Sequence, residues 1–304
     1  MTVPQPGAPL LPGVSQYDVD FVIPRVGVDL PLGIDPFLLY KSRNPNYREL
    51  HSLLVRTFNA GIDAIRRNRV TEARALFDFP EVAAVGLGYT QGGRRGSGVG
   101  THLSNLIIDT VRSSPALMER GVRHVEEMQL LSAGIGPDRI SDISANVLKR
   151  FLVEYTQRQC KIWEIPVERG VPLEHVFEPA SRSWVDSYED LPISTADGLP
   201  ILLVPRRLVR LLPWINYDNF LRTEFSAYLA ARRVRGHQGE IADNSDTNLK
   251  DNVVSVTRSD IGWLNVTSSR ANNRQLRLSL HWTISMRTRA RRPSVSGRNS
   301  QMCP

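Results

Sequence analysis

The sequence predicts an α+β protein with a large helical share and short strands, rather than a regular doubly wound sheet. Three observations predict it. Apolar residues recur at helical spacing over 47–68 and over 137–163. Short runs of branched residues bounded by Pro and Gly, such as "GLPILLVP", read as strands. These two kinds of segment do not alternate as βα units, and no internal repeat is visible.

Taken in order, residues 1–16 are rich in Pro and Gly and form a loose lead-in to an α+β module over 17–235. The stretch "DFVIPRVGVDLPLGIDPFLLYKS" mixes short apolar runs with turn residues, which fits extended segments. From Tyr47 to Asn68, the residues Leu50, Leu53, Leu54, Phe58, Ile62 and Ile65 line one helical stripe. "TEARALFDF" reads as a short helix that ends before Pro80, because proline cannot continue the hydrogen-bond ladder. "EVAAVGLGYT" reads as a strand entering the glycine-rich "QGGRRGSGVG", and "THLSNLIIDTVRSS" is helical in pattern.

The strongest helical pattern covers 137–163. Pro137 suits a first turn, where its missing N–H costs nothing, and Ile140, Ile143, Val147, Phe151 and Tyr155 make the apolar stripe. Beyond Pro166 come β-like pieces and acidic turns, then the buried strand "GLPILLVP". "YDNFLRTEFSAYLAARRV" is helical in pattern, 236–252 reads as a linker or flexible loop, and 253–263 begins a following region.

Charge points to polyanions only at first sight. The net charge is +7 and the pI near 9.7. Eight of the 38 basic residues, all arginine, lie in 264–304, where there is no acid; the other 30 face all 31 acidic residues, so residues 1–263 are close to neutral. Acids vanish and Arg, Ser, Asn and Thr dominate abruptly after Trp263. We read 264–304 as a disordered Arg/Ser-rich tail, with three origins open: a plain solvated tail, a nucleic-acid arm, or a shifted reading frame that truncates a longer protein. Back-translation admits one restored nucleotide after Gly262 that returns an amphipathic segment of mixed charge. The tail is therefore weak support for a nucleic-acid arm.

No stretch has the basic and apolar regions of a secretory leader or the ~20 apolar residues of a membrane span, so the expectation is a cytoplasmic protein with no membrane partner. Cys160 and Cys303 make neither a disulfide framework nor a metal-ligand spacing.

The motifs "IDPFLLYKS", "VGLGYTQGGRRGSGVG", "GIGPDRISDISANVLKRFLVEYTQRQC" and "GLPILLVPRRLVRLLPWI", in that order over 18–262, resemble a family of uncharacterised bacterial proteins. Its longer members continue into a region similar to restriction-endonuclease-like nucleases of the PD-(D/E)xK type. The resemblance implies an antiviral-defence or restriction context, with this chain as the N-terminal part and the nuclease region absent.

Three groups of residues carry candidate chemistry. Asp138, Asp142 and Asn146 fall at i, i+4 and i+8 on one helical face, and their oxygens could hold Mg²⁺ with help from Glu126 or Glu127. The competing reading is structural: acids in a first turn favour the helix dipole, and Asp142 can pair with Arg139 or Arg150. In the glycine-rich loop, Arg94, Arg95, Gly96 and Gly98 could approach a phosphate, though the loop lacks the Gly-Lys-Ser/Thr pattern of nucleotide-binding loops. Arg206, Arg207 and Arg210 near Trp214 could grip a strand, or could be the solvated face of an amphipathic helix. His51, His102, His124 and His175 show no pairing in the sequence, and Cys160 has no evident histidine partner. Three readings stay open: a non-catalytic sensing or nucleic-acid-facing module of a nuclease-related protein, a self-contained Mg²⁺-dependent hydrolase, and a scaffold that binds protein partners or a second copy of itself.

Overall fold

A computed structural model of the 304-residue chain describes residues 7–88, 99–132 and 134–211. The glycine-rich loop through Gly98, the helix expected after Trp214, the 236–252 linker, the 253–263 segment and the arginine-rich tail lie outside the described residues. The fold is α+β. Helices α1 (Pro36–Tyr40), α2 (Pro45–Arg66), α3 (Val70–Leu76), α4 (Val99–Ser113), α5 (Pro115–Arg120), α6 (Glu127–Leu131), α7 (Pro137–Val147) and α8 (Lys149–Ile162) are joined by two small antiparallel sheets. Strand β1 (Leu32–Ile34) pairs with β4 (Val209–Leu211), and β2 (Glu168–Glu178) pairs with β3 (Ser183–Leu191) in a long hairpin.

Local sequence sets the helix starts. Asp35-Pro36, Asn44-Pro45 and Ser114-Pro115 each supply a side-chain oxygen that accepts from a backbone N–H of the first turn, followed by a proline that has no N–H to lose. The stripe on α2 is buried as its spacing predicts: Leu54, Phe58, Ile62 and Ile65 enter the main core, with Leu50 and Leu53 packed at its margin. Fully burying such a side chain contributes about 1.5–3 kcal/mol relative to leaving it in water. Gly61 sits mid-helix because a Cβ there would run into the ring of Phe77, which packs 4.9 Å from Phe58.

The helix expected over 137–163 is two helices. Leu148 (φ −90°, ψ 5°) separates α7 from α8. Ser144 Oγ donates to Ile140 O (2.6 Å) and Asn146 Nδ2 to Asp142 O (3.0 Å), and side chains that bond back to carbonyls four residues earlier bend a helix. Of the strand expected at 81–90, the described residues 81–88 form a 3₁₀ turn, Ala83–Val85, closed by Gly86 in the left-handed region, and then a single parallel bridge from Leu87 to Leu30. Its buried residues, Val82 and Val85, are three apart, the spacing that eclipses side chains in a 3₁₀ turn.

"ILLV" is extended and wholly buried, but it is no ladder strand. Ile201 N donates to Pro192 O, Leu202 N to Ala84 O, and Leu203 N to the Thr156 hydroxyl, while Val204 O accepts from Val22 N. Its side chains alternate: Leu202 and Val204 enter the main core, and Ile201 and Leu203 join Val19, Phe21, Ile23 and Tyr155 in a second, smaller core. Both faces need apolar residues, which is why the run is continuous.

In the hairpin, Val171 and Leu173 face the core, then an irregularity between Leu173 and Val176 shifts the inward parity to Val176. His175 occupies the bulge at φ 59°, stacks on Trp184 (4.2 Å, 13°) and makes a 2.5 Å bond through Nε2 to Asp78 O. Trp184 Nε1 donates to Ala75 O at 2.8 Å. The hairpin is thus fastened to the end of α3. At the α7–α8 junction the buried Lys149 ammonium donates to Glu174 O (3.0 Å), His175 O (2.9 Å) and Asn146 Oδ1 (3.4 Å), and Asn146 Nδ2 donates to Pro80 O (2.6 Å). Burial pushes the Lys149 pKa down to about 8.

Candidate nucleic-acid interface

The three arginines predicted to act together part ways in the fold. Arg210 is a counter-ion: its Nε lies 3.1 Å from Oδ2 of Asp35, a fully buried residue that also caps α1. Arg210 thereby ties β4 to β1, and its guanidinium is engaged within the fold. Arg206 is exposed, but its Nη1 donates to Gln16 O (2.7 Å) and its backbone N–H to Asp20 O (2.7 Å), pinning the 15–20 turn. The amphipathic helix envisaged over 206–212 is a 3₁₀ turn, Arg206–Leu208, followed by β4. Pro205 begins that turn, and Leu208 O is taken by Asp35 N, so the chain leaves as a strand beside β1. Arg207 alone of the three keeps an unengaged guanidinium among the described residues. Arg94, Arg95, Gly96 and Gly98 lie outside them.

The candidate Mg²⁺ ligands are also divided. Asp138 is exposed in the first turn of α7, with its carboxylate folded back over Gly136, as the dipole reading requires. Asn146 spends both amide hydrogens on carbonyls and faces the Lys149 ammonium with its oxygen, an arrangement that disfavours a cation. Asp142 lies 3.8 Å from Arg139, while Arg150 pairs with Glu178 instead (3.1 Å). Burial raises the Asp142 pKa to about 7, Arg139 opposes the rise, and Glu81, Asp138 and Asp29 add to it. Glu127 is held by Arg120 (2.7 Å) and by the backbone N–H groups of Arg123 and His124. Among the described residues no three His, Cys, Asp or Glu side chains come together as a metal-binding group.

Two histidines that look unrelated in the sequence do meet. His51 Nε2 lies 3.2 Å from His124 Nδ1, and the Tyr40 ring stands 5.2 Å from one imidazole and 4.8 Å from the other. Burial, then the neighbouring His124, pushes the His51 pKa down to about 4. Seventy-three residues of sequence separate them, so no local signal could pair them. Burial also pushes the Cys160 thiol up to about 11, which makes it a poor nucleophile at neutral pH.

A different set of residues assembles the face most suited to a ligand. Tyr47, from the first turn of α2, meets Phe151 of α8 edge-on at 6.1 Å, and Phe151 stacks on Tyr155 at 6.1 Å. The Arg158 guanidinium lies 6.0 Å over the Tyr155 ring. Arg158 and Arg207 are exposed, and neither donates a hydrogen bond or joins an ion pair among the described residues. Both lie within electrostatic reach of Tyr47 and Tyr155, as does the one nearby carboxylate in that environment, Asp20. Burial is the main cause that raises both phenol pKa values, with Asp20 adding to it and the two arginines opposing. Tyr155 is only 8% exposed, and its hydroxyl has no hydrogen-bond partner among the described residues. Phe151, Tyr155 and Arg158 fall at i, i+4 and i+7, a stripe visible in the sequence; Tyr47 and Arg207 join it only through folding.

Residues 13–216 match the family described as "Domain of unknown function (DUF8370)". The chain belongs to this family. The matched span contains both cores, both sheets and every residue of the aromatic and arginine face, and it ends before residues 236–252 and the arginine-rich C-terminal stretch. Neither a curated protein nor a solved structure matches the chain. No helix among the described residues is long and apolar enough to cross a membrane.

Proposed function

We propose that this DUF8370 chain is a nucleic-acid-facing module of a cytoplasmic, nuclease-related bacterial defence protein, and that its own part is recognition rather than catalysis. One observation carries the reading: two exposed guanidinium groups, neither in an ion pair nor donating a hydrogen bond among the described residues, accompany a tier of aromatic rings and a buried phenol without a hydrogen-bond partner among the same residues. Arginines supply phosphate contacts and rings supply stacking surface, the pairing that nucleic-acid grooves use. The near-neutral charge of residues 1–263 supports recognition by this local patch rather than by a long-range field.

The test compares the full chain with an Arg158→Ala/Arg207→Ala variant in oligonucleotide anisotropy at rising salt. Retention that weakens with salt in the native chain and is reduced in the variant is the expected result. Identical retention of both proteins would remove the reading, because the tail arginines are common to both.

A Mg²⁺-dependent hydrolase is the second reading, favoured by Asp142 alone. Its carboxyl, held near pKa 7 with Asp29, Glu81 and Asp138 as neighbours, would be relieved by a bound cation. Its expected signature is Mg²⁺- or Mn²⁺-dependent turnover that disappears in both Asp138→Ala and Asp142→Ala.

A further inference from the structure

Most charges near the face are committed or opposed. Arg210 is spent on Asp35 and Arg206 on the Gln16 carbonyl. Asp20 lies within reach of both tyrosines, and Asp18 accepts from Ser15 N in the adjacent turn. Among the described residues of the face, Arg158 and Arg207 remain without an ion pair or a donated hydrogen bond. A duplex binder gains its affinity from many phosphates at once, commonly 6–10 of them, and reads bases with an element placed in a groove. Two cations beside a carboxylate cannot supply the first, and neither a short helix turn at 206–208 nor the half-buried rings supply the second.

The aromatic side is richer. Tyr47 and Phe151 are both half-buried, so each shows part of its surface to solvent. Tyr17 is 89% exposed, which is unusual for so large a ring. The turn that carries it is held in place: Ser15 N donates to Asp18 Oδ2, Gln16 Nε2 to Phe21 O, Ile23 N to Gln16 Oε1, and Arg206 to Gln16 O. Tyr47, by contrast, is held against Phe151, and a ring already held in place loses little entropy when a flat group stacks on it. Bases in a duplex hide their flat faces against one another, whereas those of a single strand are open to such rings.

We infer that this face selects single-stranded over duplex nucleic acid, stacking an unpaired base on Tyr47 while Arg158 and Arg207 hold neighbouring phosphates. The inference rests on the nucleic-acid reading above and narrows it to a strand class. Ribose and deoxyribose strands share this chemistry.

The experiment uses the full chain with fluorescent short oligothymidylate, oligouridylate of the same length, and a duplex of that length. Arg158→Ala/Arg207→Ala is expected to lower single-strand affinity on the order of tenfold, and to flatten the slope of log affinity against log salt by about 1.4, two phosphates at about 0.7 each. Tyr47→Leu is expected to lose on the order of tenfold for single strands, while Tyr47→Phe, which keeps the ring, binds as the native chain does. Duplex binding should barely change in any variant. The difference between the two single strands shows whether the sugar is read, and binding of either supports the inference. If duplex and single-strand affinity fall together, the strand preference is overturned while the nucleic-acid reading survives. A Tyr47→Phe loss equal to that of Tyr47→Leu also overturns it, because the ring is then not what binds. Should the double arginine variant leave all three affinities unchanged, the nucleic-acid reading itself falls.

Discussion

The junction of α7 and α8 and the face formed by Tyr47, Phe151, Tyr155, Arg158 and Arg207 are built from the same chemical materials, yet they treat polar groups in opposite ways. At the junction, Lys149 meets three acceptors and Asn146 two carbonyls, so the donors there are consumed by the fold. On the face, two guanidiniums and a phenol are left over. A satisfied buried network fastens elements together, whereas unsatisfied groups beside open aromatic surface are capacity for something that is not yet bound. Of the three candidate Mg²⁺ ligands, Asn146 falls into the first class, and the residues that carry the proposal fall into the second.

The largest effect should come from breaking the junction. Asn146→Leu leaves Pro80 O without its donor and removes an acceptor from the buried ammonium, so urea unfolding is expected to show a loss of about 3 kcal/mol. Oligonucleotide affinity per folded molecule should be unaffected. A loss of affinity would mean that the two regions are coupled rather than separate.

Next comes His51. Its pKa falls from an ordinary 6.5 to about 4 in the fold, so between those values the unfolded chain binds more protons, and stability rises with pH across that window. Acidification from pH 6.5 to 4 should remove about 2 kcal/mol attributable to this group, measured as the difference from a His51→Phe variant. A variant with an identical pH profile would show that the imidazole pair is not where the proton enters.

Asp142 works in the other direction, and its windows overlap that of His51. With its pKa raised from 3.8 to about 7, the folded state binds more protons between those values, so stability falls as pH rises from 4 to 7. Because a fifth of its side chain remains in water, the expected contribution is smaller, about 1–2 kcal/mol. Asp142→Asn should therefore be the more stable protein at pH 8 in urea titrations, and its advantage should shrink toward pH 4. An Asn variant that is less stable at pH 8 would mean that the Arg139 pair outweighs burial.

The smallest effect sharpens the contrast most. Tyr155→Phe removes a buried hydroxyl that satisfies no partner, so unfolding stability should change by less than about 1 kcal/mol, toward greater stability. A larger loss would place the phenol among the committed groups of the fold.

Much of this was legible beforehand where the signal is local. The α2 stripe, the α7 start at Pro137 and the continuous "ILLV" run follow from spacing and backbone chemistry within a few residues, whereas α1 lies in a stretch whose prolines and glycines suggest extended segments. Where the reading failed, a distant partner had decided the matter. Val82 and Val85 flank a 3₁₀ turn because both reach the main core; the α7–α8 break is the exception, set by side chains that bond back to carbonyls only four residues earlier. Arg210 stands beside Arg206 and Arg207 in the sequence, yet its ion-pair partner, Asp35, is 175 positions away in the numbering. His51 with His124, and Tyr47 with Arg207, are likewise products of folding.

What the sequence determined alone is the α+β class, the helix boundaries marked by capping residues and prolines, the apolar periods, and the near-neutrality of residues 1–263. What tertiary structure decided is which polar groups are spent and which remain. Helical and strand periodicity acts between near neighbours, so it is written along the chain; hydrogen-bond satisfaction is settled between groups that only burial brings together, and it is that settlement which separates structural residues from those left to bind.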